Sequence, residues 1–224
     1  MCNPPLRPQL IVDDSAAVWP EHAAQLLVPR RYHYFDASAG RDASLGKAAR
    51  GLLSRQTDEP PGLGEGASQL GALLEALTRI HVSFFQAVDA AAGGAPPHVK
   101  ASVAEVRRGV LSGIRLLFTR VIPLEEKRPE RHFAWRLALE LGATVATSAE
   151  ESVTHVVAGA ARTDKAQWAE RSGRRVVSLG WLTACGYCWR RLDELDFPLG
   201  AEPDAALDTA WARPSDTLPP PSVG

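Results

Sequence analysis

The sequence predicts an α/β fold: a four-stranded parallel sheet with flanking helices, preceded by a helical segment and the partial end of another domain. Three observations predict it. From Gly109 to Gly200, short apolar runs alternate with helix-length segments in the order strand, helix, strand, strand, helix, strand, helix. From Leu70 to Val88, apolar residues recur at three- and four-residue steps, the signature of a helix with one apolar stripe. Near the start, Leu10-Ile11-Val12 reads as a short buried strand closed by Asp13-Asp14.

The elements follow in chain order. After the first strand, the stretch from Gly40 to Ser68 has no sustained periodicity, and Pro60-Pro61 and Gly62-Leu63-Gly64-Glu65-Gly66 mark it as a connector. Ser68 is placed to cap the long helix whose stripe is Leu70, Leu73, Leu74, Leu77, Ile80, His81, Phe84, Phe85 and Val88. That stripe packs within the chain or docks a partner helix, and His81 on it reads as a packed ring. Val99, Val103, Val106 and Val110 predict a second helix.

The sheet region then reads as a strand over Ile114–Phe118, a helix over Arg131–Leu141 with Phe133, Leu137 and Leu141 inward, and Gly142 at its C′ position. Strands follow over Ala143–Val145 and His155–Ala158, then a helix over Lys165–Arg171 with Thr163 as cap. A strand over Arg175–Ser178 and a helix over Trp181–Arg190 complete it. Cys185 and Cys188 form a lone C-x-x-C inside that helix. No second pair exists to make a zinc site, so they read as packing residues. The expected boundaries are 1–37, 38–68 (linker), 69–110 (helices), 111–200 (sheet domain) and 201–224, an Asp/Ala/Pro-rich tail expected to be disordered.

Totals exclude several functions. With 25 basic and 26 acidic residues in 224, there is no cationic excess to track a phosphate backbone, so nucleic acid is an unlikely partner by charge. No apolar run is long enough to cross a bilayer, so no membrane role is expected. Three Cys do not make a disulfide framework.

Gly113, Phe118-Thr119, Leu141-Gly142-Ala143, Thr154-His155-Val156-Val157, Val176-Val177-Ser178 and Trp181 together resemble a BRCT domain. The resemblance implies that Trp181 fills the core. It also implies a phosphoserine pocket, because members that read phosphoserine place a Ser or Thr after the first strand and a Lys at the start of the helix after the third. Those positions are Thr119 and Lys165 here. A hydroxyl, an ammonium and the free N–H groups of a helix start suit a dianionic phosphate. Arg120 stands where the family has Gly, adding a cation or blocking the site. The plain alternative is a turn-closing threonine and an ordinary surface lysine.

A second resemblance lies upstream. Ile11-Val12-Asp13-Asp14-Ser15, Val18-Trp19-Pro20, Leu26-Leu27 and Tyr32-His33-Tyr34-Phe35 resemble the end of the haloacid-dehalogenase-type phosphatases that act on the C-terminal repeats of RNA polymerase II, a family whose members dock general transcription factors. Ile80-His81 through Phe84-Phe85 matches the helical segment that follows in that family. The resemblance implies a nuclear protein-serine phosphatase whose Mg²⁺ is held by Asp13, with Asp14 in a weaker neighbouring role. The alternative from spacing is that Asp13-Asp14-Ser15 only starts a turn. The expected partner is the phosphorylated polymerase repeats or another phosphoprotein. No Asp-x-Asp-x-Thr, the nucleophile and acid-base pair of that chemistry, occurs in these residues. The chain therefore reads as the C-terminal part of such an enzyme, inactive alone, or as a BRCT scaffold protein in transcription or repair.

Overall fold

The computed structural model describes residues 9–29, 68–92, 94–95 and 97–199. Residues 38–67 of the expected linker, the aromatic run Tyr32–Phe35 and the tail lie outside them.

Two strands open the chain, β1 (Ile11–Val12) and β2 (Leu26–Leu27), joined through two 3₁₀ turns. They pair in parallel, Ile11 with Leu26 and Val12 with Leu27. Helix α1 (Gln69–Ala90) starts where the sequence places it, with the Ser68 hydroxyl accepting the Gly71 N–H at 3.0 Å. Such a cap contributes about 1 kcal/mol.

The buried line of α1 is narrower than expected: Ala72, Leu73, Ala76, Ile80 and Phe84. Leu70 and Leu74 are about two-thirds exposed, and Phe85 and His81 also face outward. The reason is geometric. Leu73 and Leu74, like Phe84 and Phe85, stand a hundred degrees apart on the helix, so one partner surface cannot cover both. His81 is consequently not a packed core ring; it lies against Phe85, ring centroids 4.6 Å apart. Helix α2 (Val99–Arg108) stops at Gly109, so Val110 falls beyond it and packs into the sheet core instead.

The sheet is formed by β3 (Arg115–Thr119), β4 (Thr144–Ala146), β5 (His155–Ala158) and β6 (Arg175–Val177), all parallel in the spatial order β4-β3-β5-β6. Strands β3 and β4 sit one residue later than the apolar runs predict, so Thr119 is the last paired residue, opposite Ala158. Helices α3 (Phe133–Glu140) and α5 (Leu179–Cys188) cover one face, and α4 (Asp164–Arg171) covers the other. Helix α3 is shorter than predicted because Pro129–Arg131 forms a 3₁₀ turn and His132 becomes the cap, its Nδ1 accepting the Ala134 N–H. Its inner residues are Ala134, Leu137 and Ala138, with Phe133 only partly buried.

Every residue of α5 from Trp181 to Cys188 is buried. A helix apolar all round must be surrounded, and α5 is. Trp181, Leu182, Cys185 and Cys188 enter the sheet core, while Tyr187 packs with Leu26 and Val28. Just past the helix end, Trp189 joins Leu27, Leu73, Ala76, Ile80, Phe84, Val99 and Val103. The Arg79 guanidinium donates to the Trp189 carbonyl at 2.5 Å, and Arg107 lies 4.6 Å from the Trp189 ring centre. The opening strands, the helical pair and the sheet thus share one hub. Gly142 adds a second junction: its φ is +90°, and a Cβ there would stand 1.8 Å from the Arg108 carbonyl oxygen.

Candidate functional site

In an open parallel sheet, ligands meet the carboxyl ends of the strands. Thr119 ends β3, is 9% exposed, and gives its carbonyl to the Gly159 N–H at 2.9 Å. Arg120 follows with φ +57°, the left-handed region that costs a non-glycine residue about 1 kcal/mol or more. Its carbonyl lies so close to Gly159 that a Cβ there would approach it to 2.2 Å. The β3 and β5 ends are therefore held backbone against backbone, which fixes where the Arg120 side chain leaves the sheet.

Helix α4 begins beside them. Thr163 caps it as the sequence predicts, its hydroxyl accepting the Ala166 N–H at 3.2 Å. Half-buried Lys165 reaches back across the strand end, its Nζ 3.5 Å from the Phe118 carbonyl oxygen. Thr119, Arg120 and Lys165 all line one cavity of about 340 Å³. Asp164 in the same first turn of α4 and Glu126 on the cavity wall are the acidic groups nearby; Glu126 accepts the Arg128 N–H at 2.9 Å.

Sequence reasoning missed the rest of the lining: Ile122, Pro123, Leu124, Pro129, Trp135 and Thr147. The signal was present, since Val121-Ile122-Pro123-Leu124 is an apolar run between the strand and the helix that the sequence predicts.

The carboxylates Asp13 and Asp14 stand at the end of β1, away from this cavity's lining. One Asp13 oxygen accepts the Ser15 N–H at 2.7 Å, and the other accepts the Trp19 indole N–H at 2.9 Å. That is the turn geometry. Mg²⁺ takes six oxygens, and among the described residues no group of three His, Cys, Asp or Glu is placed to hold a metal. These residues alone do not fit the ion.

Three other features belong to the core or to surface charge. His155 is buried and stacked on Trp181 at 5.2 Å between ring centres. Its burial pushes the imidazole pKa below the ordinary value, only partly opposed by the Glu194 hydrogen bond at 3.3 Å. That contact is a bond of a neutral ring, and the Trp181 indole donates to the Leu192 carbonyl at 3.0 Å. Cys185 is pushed up to about 12 by burial, which makes it a packing thiol. A larger cavity of about 530 Å³ lies between Pro20–Ala24, α2 and α3, but its charges are mixed and Arg107 is spent on Glu140 at 3.3 Å.

Known proteins resemble this chain in sequence and fold. The BRCA1 C Terminus (BRCT) domain model matches residues 107–185. Over 190 residues, 85% of this chain, it is 39% identical to the RNA polymerase II C-terminal domain phosphatase-like 4 of Arabidopsis thaliana. Residues 107–185 are a BRCT domain, in a chain homologous to RNA polymerase II C-terminal domain phosphatases. The phosphatase-like 3 of the same plant is 37% identical over 187 residues. The solved structure of Fcp1, an RNA polymerase II CTD phosphatase, superposes with a TM-score of 0.59 at 25% identity over 85% of this chain. The chain spans 41% and 14% of the two plant relatives and 60% of the Fcp1 chain. The match extends past the BRCT domain into the helical pair, in keeping with their shared packing around α5.

Proposed function

We propose that the BRCT domain binds a phosphoserine-bearing protein, the phosphorylated C-terminal repeats of RNA polymerase II above all, and holds it for phosphatase action in the nucleus. One observation carries this reading: Thr119, Arg120 and Lys165 line a single cavity at the carboxyl end of β3, beside the start of α4. The hydroxyl and N–H groups donate to phosphate oxygens, and the two cations match the dianion. Holding a repeat near a catalytic centre raises its local concentration even when the module's own affinity is modest.

The relatives' names describe phosphatases. These residues contain no Asp-x-Asp-x-Thr, so hydrolysis needs a segment that carries the aspartyl nucleophile. In such a complete site, Asp13 and Asp14 would be candidates for oxygen ligands to Mg²⁺, which would neutralise charge on the transferred phosphoryl group. General transcription factors are a further proposed class of partner.

The test is a pull-down with polymerase-repeat peptides, phosphorylated and not. Retention of only the phosphorylated peptide, lost in Lys165→Ala and Thr119→Ala, supports the reading. Unchanged retention in both variants removes the cavity from it.

A further inference from the structure

We propose that the exposed face of α1 is a self-association surface, which pairs antiparallel with α1 of a second copy of this chain. The pairing is independent of any ligand at the end of β3, because the lining of that cavity takes nothing from α1.

Helix α1 carries two apolar lines, and the fold covers one of them. Leu70, Leu74, Leu77, His81, Phe85 and Val88 make the second, within an arc of about 80° at 100° per residue. Leu70 and Leu74 are about two-thirds exposed, Phe85 is 38% exposed, and Val82 on the flank is 47% exposed. Monomers seldom leave a continuous apolar strip of this kind in water. No Asp, Glu, Lys or Arg interrupts it. The Thr78 hydroxyl beside it donates back to the Leu74 carbonyl at 2.8 Å, so covering the strip strands no donor there. Phe85 is braced before any partner arrives. It stands edge-on to buried Phe84, ring centres 5.2 Å apart, and lies 4.6 Å from the His81 ring.

Spacing and charge name the occupant. The strip is nearly palindromic about Thr78 and Arg79. Turned end over end, Leu70 meets the partner's Val88, Leu74 meets the partner's Phe85, and Leu77 meets the partner's His81. One surface thus complements itself across a two-fold axis. The ends agree with this direction. Helix α1 has no acidic residue in its first turn and no basic residue in its last. Exposed Asp89 stands in that last turn instead, where its charge opposes the helix's own dipole. Antiparallel pairing brings each Asp89 to the partner's first turn, where a carboxylate is favourable. A parallel pair would set the two carboxylates side by side. The other acid on that flank, Glu75, is held by Arg190 at 3.7 Å. The strip is about 27 Å long and about 10 Å wide. Two such strips fall short of the roughly 1,200 Å² of a stable interface. The dimer is therefore weak and reversible, half-formed on the order of tens of micromolar. It carries two sheet domains on one particle, which favours a partner with repeated binding sites.

The test is sedimentation velocity of the whole chain from about 5 to about 500 µM, a range that brackets such an affinity. The parent passes from monomer to dimer across it. Leu74→Glu, at an exposed position outside the core, moves the midpoint upward by roughly tenfold or more. Leu195→Glu, at a residue 76% exposed on another surface, leaves the midpoint unchanged. A short bis-maleimide reads the direction. Leu70→Cys and Val88→Cys, each in a Cys2→Ser chain, become joined to each other and neither to itself, while buried Cys185 and Cys188 stay silent. A chain that remains monomeric throughout, or a dimer that survives Leu74→Glu, overturns the proposal and leaves the strip to a different partner. Joining of either cysteine variant to itself overturns the antiparallel arrangement.

Discussion

Replacing Arg120 by glycine separates backbone strain from ligand contact, because the two respond with opposite signs. Arg120 sits at φ +57°. Glycine adopts that region freely, relieving roughly 1–2 kcal/mol. The unfolded chain gains freedom in exchange, worth roughly 0.5–1 kcal/mol. The net is a gain of up to about 1.5 kcal/mol, or up to roughly 6 °C in melting temperature for a chain of this size. Binding moves the other way. A guanidinium donating to a phosphate is worth roughly 1.5–3 kcal/mol, so Arg120→Gly weakens a phosphopeptide by about tenfold or more. Differential scanning fluorimetry and calorimetric titration of the same preparation read the two effects. A variant that is more stable and binds as tightly as the parent would show that the Arg120 side chain does not reach the ligand. A variant that is less stable would mean that the left-handed backbone is held by contacts of the guanidinium itself.

Three further outcomes test the packing. Gly142→Ala forces a Cβ into the Arg108 carbonyl at a φ of +90°, and a loss of about 3 kcal/mol or more in urea unfolding is expected. Trp189→Ala empties the junction of α1, α2 and α5 and costs roughly 3–5 kcal/mol; reporters in α1 and in the sheet should still lose structure at one shared midpoint, whereas two separate transitions would show independent units. The His155 pKa is lowered in the fold by burial. The unfolded chain then binds the extra proton first, so stability present above about pH 6.5 is lost as the pH falls below it. Melting at pH 7.5 and 5.5 should show a drop that is smaller in His155→Gln, and an equal drop in both proteins would assign the acid sensitivity elsewhere.

Periodicity and punctuation carried most of the fold. Alternation placed every strand of the sheet, and Ser68, Thr163 and Gly142 marked helix ends where the backbone needs a cap or a left-handed residue. Register was less legible: β3 and β4 fall one residue late, because hydrogen-bond pairing rather than apolarity sets where a strand ends. The α1 stripe misled for a related reason. Leu70, Leu74 and Phe85 are as apolar as Leu73 and Phe84, and only the arrangement of α2 and α5 decides which line is covered. Thr119, Arg120 and Lys165 were legible from their positions relative to strand and helix. The apolar half of their cavity was not, since Trp135 comes from α3 and reaches the loop residues only through the fold. At β1, the sequence pattern of Asp13 fits both a ligand and a turn, and its hydrogen bonds to Ser15 and Trp19 are compatible with either.

The most direct measurement is an amide chemical-shift titration of the intact chain with a phosphoserine peptide. Saturable shifts concentrated at Thr119, Arg120, Thr147 and Lys165, absent with the unphosphorylated peptide, are the predicted result. Shifts confined to the other cavity, around Glu21, Lys100 and Arg108, or no phosphate-dependent shifts at all, would contradict it.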